Sequence, residues 1–149
     1  IRNRFEKTVL YNEPDLVNIS WEFFQGEEIS GIIAGGNIRC FLKLAGTQYF
    51  PDLENRVLFL EGLGTTVESL ITHLTQLKQM GVFDKISGLL LGTFTNLEKI
   101  FDKYDIYSIV KDFIAKDLPV AKTSEVGHDI NSKILTIGGK INIKNFQSS

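Results

Sequence analysis

The chain has 149 residues, a formal net charge of −2, and a hydrophobic fraction of 43% against 23% charged. That composition suits one ordinary globular domain with a real core and excludes a disordered chain. Interspersed acids and bases argue against a nucleic-acid or anionic-membrane partner, and no apolar run approaches the ~18 residues of a membrane-spanning helix.

The opening residues, IRNRFEK, carry neither an initiator Met nor an apolar signal segment, so the chain is expected to be a piece of a longer one. KTVLY and LVNISWEFF read as strands, with Asn12, Pro14 and Asp15 as the turn between them. Ile29 to Ala34 reads as a short buried strand broken by Gly35-Gly36. Asn37 then caps a short helix through IRCFLKLAG, stopped by Gly46, and TQYFPD is a loop.

Val57 to Leu60 is apolar without alternation, which predicts a strand covered on both faces. The helix after it carries Val67, Leu70, Ile71, Leu74, Leu77 and Met80 at three- and four-residue spacing. Thr65 and Glu68 fit a capping box at its start, and Gly81 fits a left-handed stop at its end. A second buried strand, Leu89 to Leu91, ends on Gly92, and a second amphipathic helix carries Ile106, Ile109, Val110, Phe113 and Ile114. LPVAK is a short strand, TSEVGHDINS is irregular, and ILTIGGKINI reads as a hairpin about Gly138-Gly139. Alternating strands and helices predict an α/β fold with a mixed sheet: parallel strands, plus the antiparallel hairpin.

Two histidines and one cysteine, none closely spaced, give no metal-ligand pattern, and no metal or cofactor is expected. The lone cysteine, Cys40, reads as a small buried apolar residue in a reducing, cytoplasmic protein. His73 reads as a solvated helix residue off the apolar stripe. GLGTT before a helix resembles an anion-binding turn, but Glu61 beside it repels phosphate and no lysine stands in the P-loop position. Glu61 itself has a structural reading, since a carboxylate before a helix N-terminus is favoured by about 0.3–1 kcal/mol. His128 alone is a loop histidine, and Gly35-Gly36-Asn37 alone is a turn with a cap.

Ligands of open α/β sheets gather beyond the carboxyl ends of the strands. Glu61, Thr93 and His128 are all predicted at such ends. A carboxylate that accepts from one imidazole nitrogen orients the ring and leaves the other nitrogen to act as a base. Glu61 and His128 therefore make two-thirds of a nucleophilic triad. No Gly-x-Ser-x-Gly elbow accompanies them, so if the triad exists its serine is expected from outside the chain.

The ordered motifs GIIAGGN (31–37), LAGTQYFPD (44–52), VLFLEGLG (57–64), HLTQLKQMGVFDKISGLLLGTF (73–94) and VGHD (126–129) resemble the C-terminal domain of the LD-carboxypeptidase family of serine peptidases, across roughly residues 19 to 143. That family includes muramoyltetrapeptide carboxypeptidases and microcin C immunity proteins. The resemblance implies a swivelling β/β/α domain, with residues 1–149 forming the C-terminal catalytic half of a two-domain enzyme. The absent N-terminal domain carries the nucleophilic serine. Glu61 and His128 match the family's catalytic pair, and Gly35, Gly36 and Asn37 are expected to line the substrate cleft. The implied partners are the chain's own N-terminal domain and a peptide or peptidyl-nucleotide substrate, with a homodimer expected of the full-length protein. Two departures stand out: Thr136 replaces the proline of a Pro-x-Gly turn, and Gly62 replaces an acid often seen directly after the glutamate. The rival reading is a non-catalytic α/β module that binds a ligand or partner, with Glu61 and His128 incidental.

Overall fold

The computed structural model describes residues 2–11, 17–100 and 103–145. Its elements are α1 (Arg2–Tyr11), β1 (Glu22–Gln25), β2 (Glu28–Asn37), α2 (Ile38–Leu42), β3 (Arg56–Gly62), α3 (Val67–Gln79), β4 (Gly88–Phe94), α4 (Thr95–Glu98), α5 (Lys103–Val110), β5 (Val120–Lys122) and β6 (Lys140–Lys144). The strands form one six-stranded sheet in the order β1-β5-β4-β3-β2-β6. The four inner strands run parallel, and β1 and β6 close the edges antiparallel.

Both central strands are buried on each face, as their unbroken apolar runs require. Leu58, Leu60, Leu89 and Leu91 face a core shared with Leu70, Leu74 and Leu77 of α3 and with Ile106 and Val110 of α5. Val57, Phe59 and Leu90 alternate to the opposite face, where Ile29, Ile33, Ala121 and Val126 pack with partial cover from Trp21 and Ile141. Strand parity therefore sends consecutive side chains into two separate apolar layers. Leu74 is fully buried in the larger one. Leu74→Ala is expected to cost about 2–5 kcal/mol, read as a lowered urea midpoint with an unchanged slope.

Several local expectations are corrected. The Lys7–Tyr11 end of KTVLY lies in α1, because the segment satisfies its backbone within a helix; β-propensity depends on finding a strand partner. Among the described residues of LVNISWEFF only 22–24 lie in a strand, β1, which continues to Gln25 and pairs with β5. The turn assigned to Asn12, Pro14 and Asp15 falls outside the described residues. Gly35-Gly36 do not break β2, which runs through them to Asn37. Both take positive φ, +119° and +141°, and a Cβ on Gly35 would collide with the Phe59 carbonyl of β3, so glycine serves close strand approach here.

The two-glycine turn near the C-terminus does form, with Gly139 N–H donating to Thr136 O at 3.0 Å. It leads not into a hairpin with 134–137 but into β6, which pairs with Glu28–Ile32 of β2. Ile33 fixes that register by donating to Gly139 O at 2.9 Å and accepting from Gly138 N–H at 2.8 Å.

Helix α3 begins one residue later than the spacing predicts. Thr66 is the N-cap and Ser69 completes a reciprocal capping box with it. Thr65 is unavailable because it is buried against Gly62. Glu68, exposed in the first turn, is held below its usual carboxylate range by a backbone hydrogen bond and by Thr66. Gly81 adopts the left-handed stop, with φ +69°. Asn37 caps α2 through Cys40 N–H at 3.3 Å, but α2 ends at Leu42 and Cys40 is exposed. Helix α5 ends at Val110, short of Phe113 and Ile114, which still pack against the core.

His73 on α3 is half-buried, not freely solvated, and its Nδ1 has no hydrogen-bond partner. Burial, and secondarily the charge of Arg39, hold its imidazole below the ordinary value of 6.5. The folded state thus resists a proton that the unfolded chain accepts. The resulting stability is complete above pH 6.5 and is lost as pH falls through the lower folded value. Urea unfolding between about pH 7.5 and about pH 5 is expected to show a smaller loss of stability in His73→Gln than in the parent chain.

Candidate active site

Three strand ends meet at one rim of the sheet. Glu61 is the penultimate residue of β3, and Asn37, the last of β2, stands beside it in parallel register. On the other side the β3–β4 ladder slips, with Leu60 opposite Leu91 but Gly62 opposite Phe94. A bulge of this kind re-aims a side chain at the end of a strand. Glu61 follows the parity of Val57 and Phe59, toward the layer that contains Val126.

The loop after β5 returns over the same rim. Thr123 N–H donates to Leu91 O and Thr93 N–H donates to Val126 O, each at 2.9 Å, so the loop continues the sheet beyond its last strand residue. Two glycines permit this closeness. A Cβ on Gly92 would stand 2.6 Å from Val126 O and 3.0 Å from Glu61 Cβ. Gly127 has φ +150°, and a Cβ there would collide with Thr93 Oγ1. Beyond it the loop is tied to itself: Ser132 Oγ donates to Gly127 O at 2.7 Å, and Asn131 N–H donates to Asp129 Oδ1 at 3.0 Å. Glu125 anchors its base by accepting from Lys133 Nζ and from Ser20 N–H, both at 2.7 Å.

These constraints bring His128 Nδ1 to 2.9 Å from Glu61 Oε2. An ionised carboxylate only accepts, so Nδ1 carries the proton and Nε2 of the neutral ring holds the free lone pair. The glutamate side chain is 10% exposed and the histidine 43%. The acid is therefore held within the protein while the imidazole stays partly open to a reactant. Such a pair can accept a proton from a hydroxyl and stabilise the imidazolium that results.

The glycine-rich segment is adjacent. Gly36 lies opposite Leu60 and Asn37 opposite Glu61. Gly35 is committed to packing against Phe59, and the Asn37 side chain to capping α2, whereas the space beside the Cα of Gly36 is open. Gly62 too has a structural reason, since a Cβ there would run into Thr65 Oγ1. Among the described residues, no group of three His, Cys, Asp or Glu side chains has metal-binding geometry. No described helix is long and apolar enough to cross a membrane.

One feature of this rim has no signal in the local sequence pattern. Lys122, the last residue of β5, is 3% exposed and forms an ion pair with Glu98 of α4. Its Nζ also donates to Gly92 O at 3.1 Å, and Glu98 Oε1 accepts from Phe94 N–H at 3.2 Å. Nothing in the spacing of residues 98 and 122 signals that they meet.

The family model of the LD-carboxypeptidase C-terminal domain matches residues 30–143. The chain is 32% identical over 130 residues to the "Putative carboxypeptidase" of Treponema pallidum, covering 86% of this chain and 38% of that protein. It is 24% identical to the microcin C7 self-immunity protein MccF of Escherichia coli, covering 81% of this chain and 36% of that one. Among solved structures, an MccF-like protein from Bacillus anthracis superimposes with a TM-score of 0.74 at 25% identity, over 87% of this chain and 40% of that one. MccF in complex with glutamyl sulfamoyl guanosine gives 0.72 at 22% identity, over 85% and 38%. The chain thus spans well under half the length of these relatives.

Proposed function

The chain belongs to the LD-carboxypeptidase C-terminal domain family, and from that premise we propose that it supplies the acid and base of a Ser–Glu–His hydrolase. The single observation that carries this reading is the hydrogen bond between Glu61 and the half-exposed His128. The nucleophilic serine belongs to a further domain of a longer protein, seated over the rim where Glu61, His128 and Gly36 lie.

In the reaction, His128 Nε2 takes the proton of that serine as its oxygen attacks an amide carbonyl. The imidazolium, held by Glu61 through Nδ1–H, then passes the proton to the leaving amine. Water, deprotonated by the same nitrogen, releases the acyl group and regenerates the serine. Gly35, Gly36 and Asn37 line the cleft, with Gly36 offering the closest backbone approach. The substrates of this reading are murein tetrapeptides losing a terminal D-amino acid, as in cytoplasmic peptidoglycan recycling, or amides joining a peptide or amino acid to a nucleotide. The second class draws support from the ligand named in the MccF complex. The partners are the serine-bearing domain and, in the complete protein, a second copy.

The test is an assay of the complete protein on a murein tetrapeptide and on an aminoacyl sulfamoyl nucleotide. Hydrolysis of either, abolished in His128→Ala, supports the reading, and hydrolysis that survives that change refutes it. Residues 1–149 alone are expected to give no turnover, with activity appearing when the serine-bearing domain is supplied. Turnover by the isolated chain would place the nucleophile within it.

A further inference from the structure

The Lys122–Glu98 pair, its lysine buried and its carboxylate partly exposed, has no role in the chemistry above, yet it grips the adjoining end of β4. Buried ion pairs add little net stability, because desolvating two charges offsets their attraction. This one does something more specific than bridge two elements. Lys122 holds the carbonyl of Gly92, and Glu98 holds the N–H of Phe94. The two contacts bracket Thr93, whose own N–H holds Val126 O, two residues before His128. Gly92 is also the residue against which Glu61 Cβ and Val126 O both pack. Phe94 is where the β3–β4 register resumes after the slip.

We propose that Lys122 and Glu98 are positioning residues for the Glu61–His128 pair. They clamp the 92–94 segment in the bulged path that brings an acid from β3 and a base from the β5 loop to one point. Without the clamp, the Gly92 carbonyl and the Phe94 amide lose these two side-chain partners, and the end of β4 is free to return to regular pairing. Regular pairing would redirect Glu61 and withdraw the Val126 anchor. The proposal rests on the triad reading for its effect on rate, but its geometric content does not depend on that reading.

The experiment uses the complete protein with Lys122→Met and Glu98→Gln, read by nitrogen NMR of the histidine ring and by kinetics. In the parent, the neutral His128 ring is expected in the Nδ1–H tautomer, with that proton protected by its hydrogen bond. In Lys122→Met the tautomers are expected to mix and the protected proton to vanish. At the same time kcat falls about 10²-fold with KM within about twofold, the behaviour of a misplaced catalytic group. Glu98→Gln, which keeps an acceptor for Phe94 N–H, is expected to retain much of the signal and the rate. Should Lys122→Met fail to fold, Lys122→Met/Glu98→Met removes both charges together and is read the same way. A folded variant lacking the pair but keeping the protected ring proton and the parent kcat overturns the proposal. If instead His128→Ala leaves turnover intact, the triad reading fails, and the ring signal alone still decides the positioning claim.

Discussion

Glu61→Gln is expected to lower kcat of the complete enzyme about 10⁴-fold while leaving the fold unchanged. The amide has nearly the shape of the carboxylate, so the loop that carries His128 stays in place. What changes is the proton on the ring. A glutamine can turn its NH2 group toward Nδ1, which then must accept, and the proton moves to Nε2, where the lone pair is needed. The imidazolium also loses the anion beside it. The check is a steady-state assay paired with nitrogen NMR of the ring: the rate should collapse together with a switch of tautomer, at an unchanged melting temperature. A variant that keeps more than about a tenth of parent activity would show that the 2.9 Å contact is incidental.

Gly127→Ala is expected to be damaging too, though less so, for a mechanical reason. The residue has φ +150° and its missing Cβ is replaced in space by Thr93 Oγ1. The new methyl group must push the loop off β4, and His128 is the next residue. Displacing a catalytic group by about 1 Å costs on the order of 10²-fold in rate. Stability should suffer less, because beyond Val126 the loop leaves the apolar layer and is held by its own hydrogen bonds. The distinguishing measurement is the ratio of the two effects: a large fall in kcat at a melting temperature close to the parent's. Unfolding in proportion to the loss of activity would mean that the strain at Gly127 reaches the apolar layer through Val126.

The parts of this molecule written in the sequence are those where one local pattern decides the outcome. Val57–Leu60 and Leu89–Leu91 have no polar face, so only a doubly covered strand suits them, and both strands are central. The apolar stripe of α3 and its glycine stop leave no alternative period. The meeting of Glu61 with His128 is legible because Glu61 ends such a run, His128 lies in the loop after β5, and the ends of parallel strands share a rim. What was not legible depended on partners distant in the chain. The two-glycine turn was recognised, but whether its exit strand would pair with 134–137 or with β2 is settled by Ile33, a hundred residues upstream. The choice of Thr66 over Thr65 as helix cap turned on a packing demand at Gly62. The burial of the lysine that ends β5 depends on a carboxylate that α4 supplies from 24 residues away.

The contact between Gly62 and Thr65 also bears on how this site can diversify. The carbon that any other residue would add at 62 enters space already held by the Thr65 hydroxyl. An acid beside the glutamate is therefore barred here one substitution at a time. It becomes admissible only when a smaller group stands at 65, and a chain carrying the acid alone passes through a strained intermediate. The two positions are sterically coupled, and a graft that places an acid at 62 has to change both together.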